Sequence, residues 1–289
     1  MEYKYLKYEV ADGILTITHN RPEKMNAQNA ATALELNQAF INADLDDDVR
    51  VIIVTGAGKA FSAGADLTAD EGTGNYFLER MQGREDNEPH RDEGGIVNLT
   101  IYDMKKPVIA AINGAAVGFG ITMTLPMDIR LASKNARMGF VFTQRGILFD
   151  GCASWFLPRI VGLDIAAEWV YSGRIFNAQE AYDKHLVTEL LNPDDLMPRA
   201  RQIARQLVEN SSSISIALCR QLMWKMLGAD HPLQANLLES KYLNWAFGMP
   251  DAREGIMAFL EKRPPKFPMR VSTDMPGSYP WWNTEKSGK

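Results

Sequence analysis

Asn113-Gly114-Ala115-Ala116-Val117-Gly118-Phe119-Gly120 is a glycine-rich stretch between two apolar runs. Residues 107–112 before it are typical of a buried strand, and residues 121–127 after it are typical of the apolar side of a helix. Glycine permits a sharp turn and lets a ligand approach the main chain closely. The first N–H groups of a helix have no partner within the helix, so such a turn suits a phosphate, a carboxylate or an oxyanion. The simpler alternative is a tight strand-to-helix connection that only packs well.

A second glycine-bearing turn follows another apolar strand. Residues 51–54, Val-Ile-Ile-Val, predict the strand, and residues 59–67, Lys-Ala-Phe-Ser-Ala-Gly-Ala-Asp-Leu, form the turn. If the two predicted strands are neighbours, the N–H groups that follow them converge. Two convergent N–H donors make an oxyanion hole that can stabilise an enolate formed from a thioester.

The composition excludes several other kinds of site. The chain has 289 residues, 46% of them hydrophobic, and a net charge of −5, which gives no support to a nucleic-acid partner. No apolar run reaches the roughly 18–20 residues that span a bilayer, and the N-terminus lacks the apolar core of a signal peptide. The two cysteines and four histidines show no metal-binding spacing, so we expect no metal site. The lack of a long apolar run leads us to expect no membrane partner. The small number of cysteines predicts a reducing cytoplasmic location.

The order of predicted elements indicates an α/β core followed by a helical layer. Residues 5–10 and 14–19 predict a hairpin, and Asn26 is a candidate cap for a helix that runs to about residue 43. Residues 68–95 are polar and aperiodic, which predicts a long loop with one short helix near residues 76–81, either a lid or a solvated excursion. Four helices are predicted at the end, followed by a proline-rich aromatic tail that is a candidate for packing on a neighbouring subunit. The four helices are predicted at residues 196–208, 214–227, 233–247 and 252–262.

Four segments together resemble the crotonase superfamily, the enoyl-CoA hydratase/isomerase family. Each motif alone has modest specificity, whereas the combination in this order is highly specific and spans about residues 5–265. The segments are Asn20-Arg21-Pro22 through Asn26-Ala27, Ala60-Phe61-Ser62-Ala63-Gly64-Ala65-Asp66-Leu67, Pro107 through Gly120 with Met127-Asp128-Ile129, and Arg253-Glu254-Gly255 through Arg263.

The resemblance implies a spiral of ββα units, with a core at residues 1–200, a helical trimerisation region at residues 201–262 and an extended tail at residues 263–289. It implies a homotrimer or a hexamer built as a dimer of trimers. The substrate would be an acyl-CoA thioester, in which coenzyme A is part of the substrate and no permanent cofactor is needed.

The same resemblance assigns roles to individual residues. The oxyanion donors would be the backbone N–H groups of Ala63 and Phe119. The coenzyme would be held by the carbonyls around Ala63 and Ala65, with Asp66 and Leu67 in the same turn. Lys24 and Lys262 are candidates for contacts with its phosphates, and Lys262 could come from a neighbouring subunit. For each lysine the alternative is a solvated surface charge, and for Asp66 it is a carboxylate that caps its own turn.

The departures from the family pattern concern the acids. A hydratase of this family uses two glutamates, and their positions correspond here to Thr122 and Phe142. Hydration needs one group to activate water and another to protonate the α-carbon. The usual hydratase chemistry is therefore not expected from these two positions.

A third acid position is retained. Residues 147–158, Ile-Leu-Phe-Asp-Gly-Cys-Ala-Ser-Trp-Phe-Leu-Pro, resemble the catalytic segment of peroxisomal-type Δ3,Δ2-enoyl-CoA isomerases, with Asp150 at their glutamate. One carboxylate suffices for an allylic shift, because it removes a proton from C2 and returns it at C4. We expect Phe119, Phe142 and Trp155 to make the pocket apolar and raise the pKa of Asp150. The alternative for Asp150 is a helix N-cap.

Three functions remain open on the sequence alone. The first is enoyl-CoA double-bond isomerisation by Asp150. The second is an enoyl-CoA hydratase, or a related lyase or hydrolase of fatty-acid or aromatic-acid degradation, in which Asp150 acts alone or through water. The third is a non-catalytic family member that binds acyl-CoA.

Overall fold

The computed structural model describes residues 3–68 and 91–282. Two sheets are present in this part of the chain, with strand orders β1-β2-β3-β5-β7-β10 and β4-β6-β8-β9. In chain order the strands are β1 (Leu6–Ala11), β2 (Ile14–His19), β3 (Val51–Gly56), β4 (Ala60–Ser62), β5 (Val108–Ile112), β6 (Ala115–Val117), β7 (Ile129–Ser133), β8 (Arg137–Gly139), β9 (Phe176–Asn177) and β10 (Glu189–Leu191).

The helices lie between the strand pairs and after the last strand. Short 3₁₀ turns occur at Pro22–Lys24 and Thr143–Arg145. The α-helices of the described residues are α1 (Ala30–Leu45), α2 (Glu93–Asp103), α3 (Phe119–Thr122), α4 (Ala153–Val161), α5 (Leu163–Ser172), α6 (Ala178–Asp183), α7 (Pro193–Asn210), α8 (Ser213–Met226), α9 (Pro232–Phe247) and α10 (Pro250–Glu261).

Three successive strand pairs each contribute one strand to each sheet. In each of the pairs β3–β4, β5–β6 and β7–β8, the first strand joins the larger sheet and the second joins the smaller one. The fully buried apolar strands β3 and β5 pair in parallel, and so do β4 and β6. A helix follows β6, so the chain coils as repeated ββα units. The predicted α/β class, the ββα spiral and the neighbouring β3 and β5 are therefore confirmed.

The prediction for the start of α1 is wrong. Asn29, not Asn26, caps this helix, and its side chain accepts from the Thr32 N–H at 3.0 Å. Asn26 has a positive φ of 56° and lies before the helix. Its side chain instead donates to the carbonyls of Ala57 and Ala60 at 2.9 and 2.7 Å, so it ties the first loop to the second glycine turn.

Both predicted glycine turns contain a short strand. β4 and β6 have three residues each, too few to give a periodic pattern, and they build the smaller sheet. The helix after the central turn is also shorter than predicted, because α3 ends at Thr122. The two glycine turns are thus built on paired strands of the smaller sheet.

The predicted loop at residues 68–95 ends earlier than expected. Residues 93–95 belong to α2, whose N-cap is Asp92. The short helix predicted near residues 76–81 lies outside the described residues. The N-terminal end of α2 is thereby placed beside the central turn, since the Phe119 ring lies against Gly94.

The helical layer is present as predicted. The predicted boundary at residue 200 falls inside α7, which packs Leu196, Ala200 and Ala204 on one face of the larger sheet. The tail packs on its own chain, because Val271 lies in one apolar cluster with Ile214 and Leu218 of α8. No helix in the described ranges is long and apolar enough to cross a membrane.

Candidate active site

A cavity of about 590 Å³ opens where the two glycine turns meet. Both turns contribute to its wall, at residues 63–67 and at Gly118 and Phe119. The remaining wall comes from residues around the start of α1, from residues 92–94 at the start of α2, and from the segment at residues 141–150, which ends with Asp150. The structure therefore brings together the turns and the acid that the sequence singled out.

Direct main-chain contact joins the two turns. A Cβ atom added to Gly64 would lie 2.5 Å from the Val117 carbonyl oxygen and 3.5 Å from the Gly118 Cα. Gly64 also has φ of +89° and Gly118 has φ of +55°, values that side-chain-bearing residues rarely adopt. The close approach of the backbones therefore requires glycine at residue 64, whereas at residue 118 the positive φ alone favours it.

The available N–H donors differ from the sequence prediction at one of two positions. Phe119 is the first residue of α3, and in the described part of the chain its N–H has no acceptor. The N–H of Ala63 is already used, because it donates to the Met25 carbonyl at 3.0 Å. Ala63 is therefore corrected as an oxyanion donor.

Ala65 offers the second unused N–H. The Gln28 N–H donates to the Gly64 carbonyl at 2.7 Å, and the Asp66 N–H donates to the Gln28 carbonyl at 2.7 Å. These two bonds form a parallel bridge between Gln28 and Ala65. In a parallel bridge the middle residue's own N–H points away from the partner strand. Among the described groups none accepts from it, so Ala65 and Phe119 form the free donor pair on the cavity wall.

Asp150 has the chemistry expected of a proton carrier. Burial raises the pKa of its carboxyl to about 6; the hydrogen bond from Thr122 opposes this rise, and the negative charge of Asp92 adds to it. The Thr122 hydroxyl donates to Asp150 Oδ1 at 2.6 Å. A carboxyl with a pKa near 6 can both accept and return a proton near neutral pH.

The alternative role of Asp150 as a helix cap is wrong. Helix α4 begins at Ala153, its N-cap residue is Cys152, and the helix has no side-chain cap hydrogen bond. Only the main-chain carbonyl of Asp150 accepts from the Ala153 N–H, at 3.1 Å. The carboxylate is thus available to the cavity.

The aromatic residues near Asp150 divide into two groups. Phe119 and Phe142 line the cavity, as predicted. Trp155 does not belong to the described lining, because it packs against the rings of Tyr102 and Trp224, with centroids 5.5 and 6.5 Å away. Ile147, Leu148 and Phe149 supply the apolar surface instead, and nothing in the sequence pattern distinguished them.

Asp66 has a structural role in its turn. It pairs with Arg21 at 2.9 Å and accepts from the Thr68 N–H at 3.0 Å and from the Thr68 hydroxyl at 2.6 Å. Burial acts to raise the pKa of Asp66, but the bonds from Thr68 and Arg21 hold it below its usual range. The predicted cap of the turn is confirmed.

The two candidate phosphate ligands lie at different places. Lys24 contacts Asp66 at 3.4 Å and Thr68 at 3.0 Å, next to the cavity wall, and Leu67 is part of that wall. Lys262 is an exposed residue that ends α10 with φ of 55° and is not part of the described lining. Within one chain the structure brings Lys24, but not Lys262, to the site.

Sequence reasoning missed the acids at the start of α2. Asp92 and Glu93 line the cavity together with Asp150. The carboxylate of Asp92 accepts from the N–H groups of Gly95 at 2.6 Å and Gly151 at 3.1 Å. The Asp-Glu-Gly-Gly sequence was a usable capping signal, but the polar residues before it suggested a loop.

Comparison with known proteins identifies the family of the chain. The family model for enoyl-CoA hydratase/isomerase matches residues 9–270. An enoyl-CoA hydratase of Alternaria alternata is 40% identical over 89% of this chain and 83% of its own length. The 1,2-epoxyphenylacetyl-CoA isomerase of Escherichia coli is 29% identical over 91% of this chain and 98% of its own. A crystal structure of an enoyl-CoA hydratase from Bacillus anthracis has a TM-score of 0.80 and 30% identity over 91% of this chain and 99% of that one.

Proposed function

The chain belongs to the enoyl-CoA hydratase/isomerase family, and from that premise we propose that it moves the double bond of an enoyl-CoA, with Asp150 as the proton carrier. The observation that carries the proposal is the placement of Asp150. Its carboxyl lies on the cavity wall with the two free N–H groups, while Thr122 and Phe142 replace the two glutamates of a hydratase.

The reaction follows from these groups. The N–H groups of Ala65 and Phe119 bind the thioester oxygen of a 3-enoyl-CoA. The Asp150 carboxylate removes a proton from C2, and the electron pair of that C–H bond moves into a dienolate whose charge lies on the thioester oxygen. The protonated Asp150 then returns the proton to C4, and the double bond forms between C2 and C3. Each N–H donor is worth roughly 3–4 kcal/mol of transition-state stabilisation in such sites.

The coenzyme half of the substrate is assigned to the second turn. The carbonyls of Ala63 and Ala65 are the candidate acceptors for hydrogen bonds from the amino group of the adenine, and Asp66 and Leu67 line the cavity beside them. Lys24 is held beside this edge by Asp66 and Thr68, where its charge attracts a phosphate. Lys262 takes part only if another subunit supplies it.

Hydration is the second candidate, because the 40% identical relative is named a hydratase. In that reaction Asp150 would activate water, and a second acid would protonate C2. Asp92 lines the same cavity as Asp150 and is the candidate for that second acid.

Parallel assays of Asp150→Asn and the parent protein test the proposal. Each protein is incubated with a 3-enoyl-CoA and with a 2-enoyl-CoA, products are separated by chromatography, and binding of a saturated acyl-CoA is measured by calorimetry. The matched control is Asp194→Asn, at an exposed carboxylate in the first turn of α7.

We expect the parent to convert 3-enoyl-CoA to 2-enoyl-CoA, and Asp150→Asn to lose this turnover by a factor of 10² or more, on the order expected for a lost general base, while it still binds. Accumulation of 3-hydroxyacyl-CoA without isomerisation would favour the hydratase. Binding by the parent without any turnover would favour the non-catalytic member of the family.

A further inference from the structure

Helix α2 reaches the Asp150 segment through Asp92. This residue is the N-cap of α2, where its Oδ2 atom accepts from the Gly95 N–H at 2.6 Å. The same oxygen accepts from the Gly151 N–H at 3.1 Å. One carboxylate oxygen therefore joins the helix to the peptide group that follows the proposed proton carrier.

The other side of Gly151 is held by the same helix. The Asn98 side chain is fully buried, and its Nδ2 group donates to the Gly151 carbonyl at 2.6 Å and to the Thr122 carbonyl at 2.9 Å. A Cβ atom on Gly151 would lie 2.7 Å from that nitrogen, and its φ is +63°. Only glycine fits, and both of its hydrogen-bonding groups are bound to α2.

We propose that Asp92 is a positioning residue for Asp150, which fixes the Asp150–Gly151 peptide through its hydrogen bond and keeps a second negative charge next to the Asp150 carboxyl. The inference rests on the proposed function only in taking Asp150 as the reacting carboxylate. A simple helix cap would need neither the contact with Gly151 nor the charge, since Asn caps a helix as well as Asp.

The charges around Asp150 come from several elements. Asp92 and Glu93 lie on the α2 side, Asp66 belongs to the second glycine turn, and Arg145 lies on the segment after β8. The Asp66 charge is compensated by its pair with Arg21. Burial and then the Asp92 charge raise the pKa of Asp150, while the Thr122 bond lowers it. Removal of the Asp92 charge is therefore expected to lower that pKa.

The test separates the charge of Asp92 from its capping bond. Asp92→Asn keeps an oxygen acceptor for Gly95 and Gly151 but removes the charge. Asp194→Asn is the matched control, because it makes the same charge change at an exposed carboxylate in the first turn of α7. In the full-length protein, ¹³C-carboxyl-labelled aspartate follows the titration of Asp150, and Asp150→Asn identifies its signal. The pH profile of kcat/KM for 3-enoyl-CoA is measured on the same variants.

We expect Asp92→Asn to shift the Asp150 titration and the acidic limb of the pH profile together to lower pH. Asp194→Asn should leave the titration in place. We also expect Asp92→Ala, which removes the acceptor as well, to lower kcat on the order of 10- to 100-fold with a smaller effect on KM.

An unchanged Asp150 titration in Asp92→Asn would overturn the inference. If turnover is then lost at every pH, Asp92 is a reacting acid. If turnover is then retained, Asp92 is only a helix cap. The carboxyl titration needs no turnover, so a parent protein without isomerase activity would refute the proposed function and still decide the role of Asp92.

Discussion

Thr122 donates a hydrogen bond of 2.6 Å from its hydroxyl to Asp150 Oδ1. The sequence resemblance implies that Thr122 corresponds to the first hydratase glutamate and that Asp150 corresponds to the acid of the isomerases. In this site the hydroxyl of Thr122 therefore supports the carboxylate of Asp150. A hydroxyl that donates to a carboxylate favours its ionised form, which is the form that removes a proton.

Thr122→Val is expected to weaken Asp150 as a base near neutral pH. The variant removes a hydrogen bond to a charged group, worth about 1.5–3 kcal/mol, so the acidic limb of the kcat/KM profile should rise by about one pH unit or more. Thr124→Val is the control, because the Thr124 hydroxyl donates to the Ile121 carbonyl at 2.8 Å in the same segment. An unchanged acidic limb in Thr122→Val would mean that another group governs it.

Asp150→Asn should make the fold more stable at neutral pH. The folded pKa of about 6 lies above the ordinary value of 3.8, so the protonated form is favoured in the folded state. The contribution of the protonated carboxyl to folding stability is fully present below pH 3.8 and is lost as the pH rises through about 6. The neutral amide avoids the buried charge, a gain of at most about 3 kcal/mol above that window.

Thermal unfolding of the parent and of Asp150→Asn across this range measures the effect. The difference in Tm should be larger at pH 8 than at pH 4, which makes the low-pH pair its own control. A constant difference at both pH values would contradict the raised pKa of Asp150. The comparison therefore measures how much folding stability the active site loses by keeping an ionisable carboxyl at residue 150.

Amide proton shifts should distinguish the two candidate donors in the second turn. When a saturated acyl-CoA binds, we expect downfield shifts at Ala65 and Phe119, because their N–H groups gain an acceptor. The Ala63 N–H already donates to Met25 at 3.0 Å and should move less. NMR titration with the acyl-CoA and with free coenzyme A, as control, measures this. A dominant shift at Ala63 would restore it as the donor.

The larger sheet could be predicted from sequence because its strands carry strong local patterns. The runs at β2, β3 and β5 are apolar throughout or alternate, and the four C-terminal helices show helical spacing. The smaller sheet could not, because β4 and β6 have three residues each inside glycine-bearing turns. These strands form because they pair with each other, and the sequence of one segment alone does not show that pairing.

The sequence predicted the residues of the site better than the hydrogen bonds between them. Phe119 and Asp150 were found from the motifs, and the cavity brings both to one wall. The choice between Ala63 and Ala65 depends on which N–H the first loop has already taken, and that bond joins residues far apart in sequence. Asp92 was missed for a related reason, since its importance comes from Gly151, which lies 59 positions later.

Phe259→Glu is expected to disrupt the trimer or hexamer that we propose for this chain. Large apolar side chains are exposed along α9 and α10, and in a lone chain they would face water. Phe259 and Leu260 are 82% and 66% exposed. Burial against neighbouring subunits would remove this cost, and a carboxylate at residue 259 would have to be desolvated in the interface. The other exposed large apolar residues of these two helices are Leu233, Leu237, Leu243, Phe247, Ile256 and Met257.

Light scattering coupled to gel filtration measures the mass of the parent and the variant. We expect three or six chains for the parent and a shift toward one chain for Phe259→Glu, with the cooperative unfolding transition retained. Tyr171→Glu is the control, because Tyr171 is 77% exposed on α5, outside the C-terminal helices, and its replacement should leave the mass unchanged. A monomeric parent would refute the assembly, and Lys262 could then no longer reach the coenzyme of a neighbouring chain.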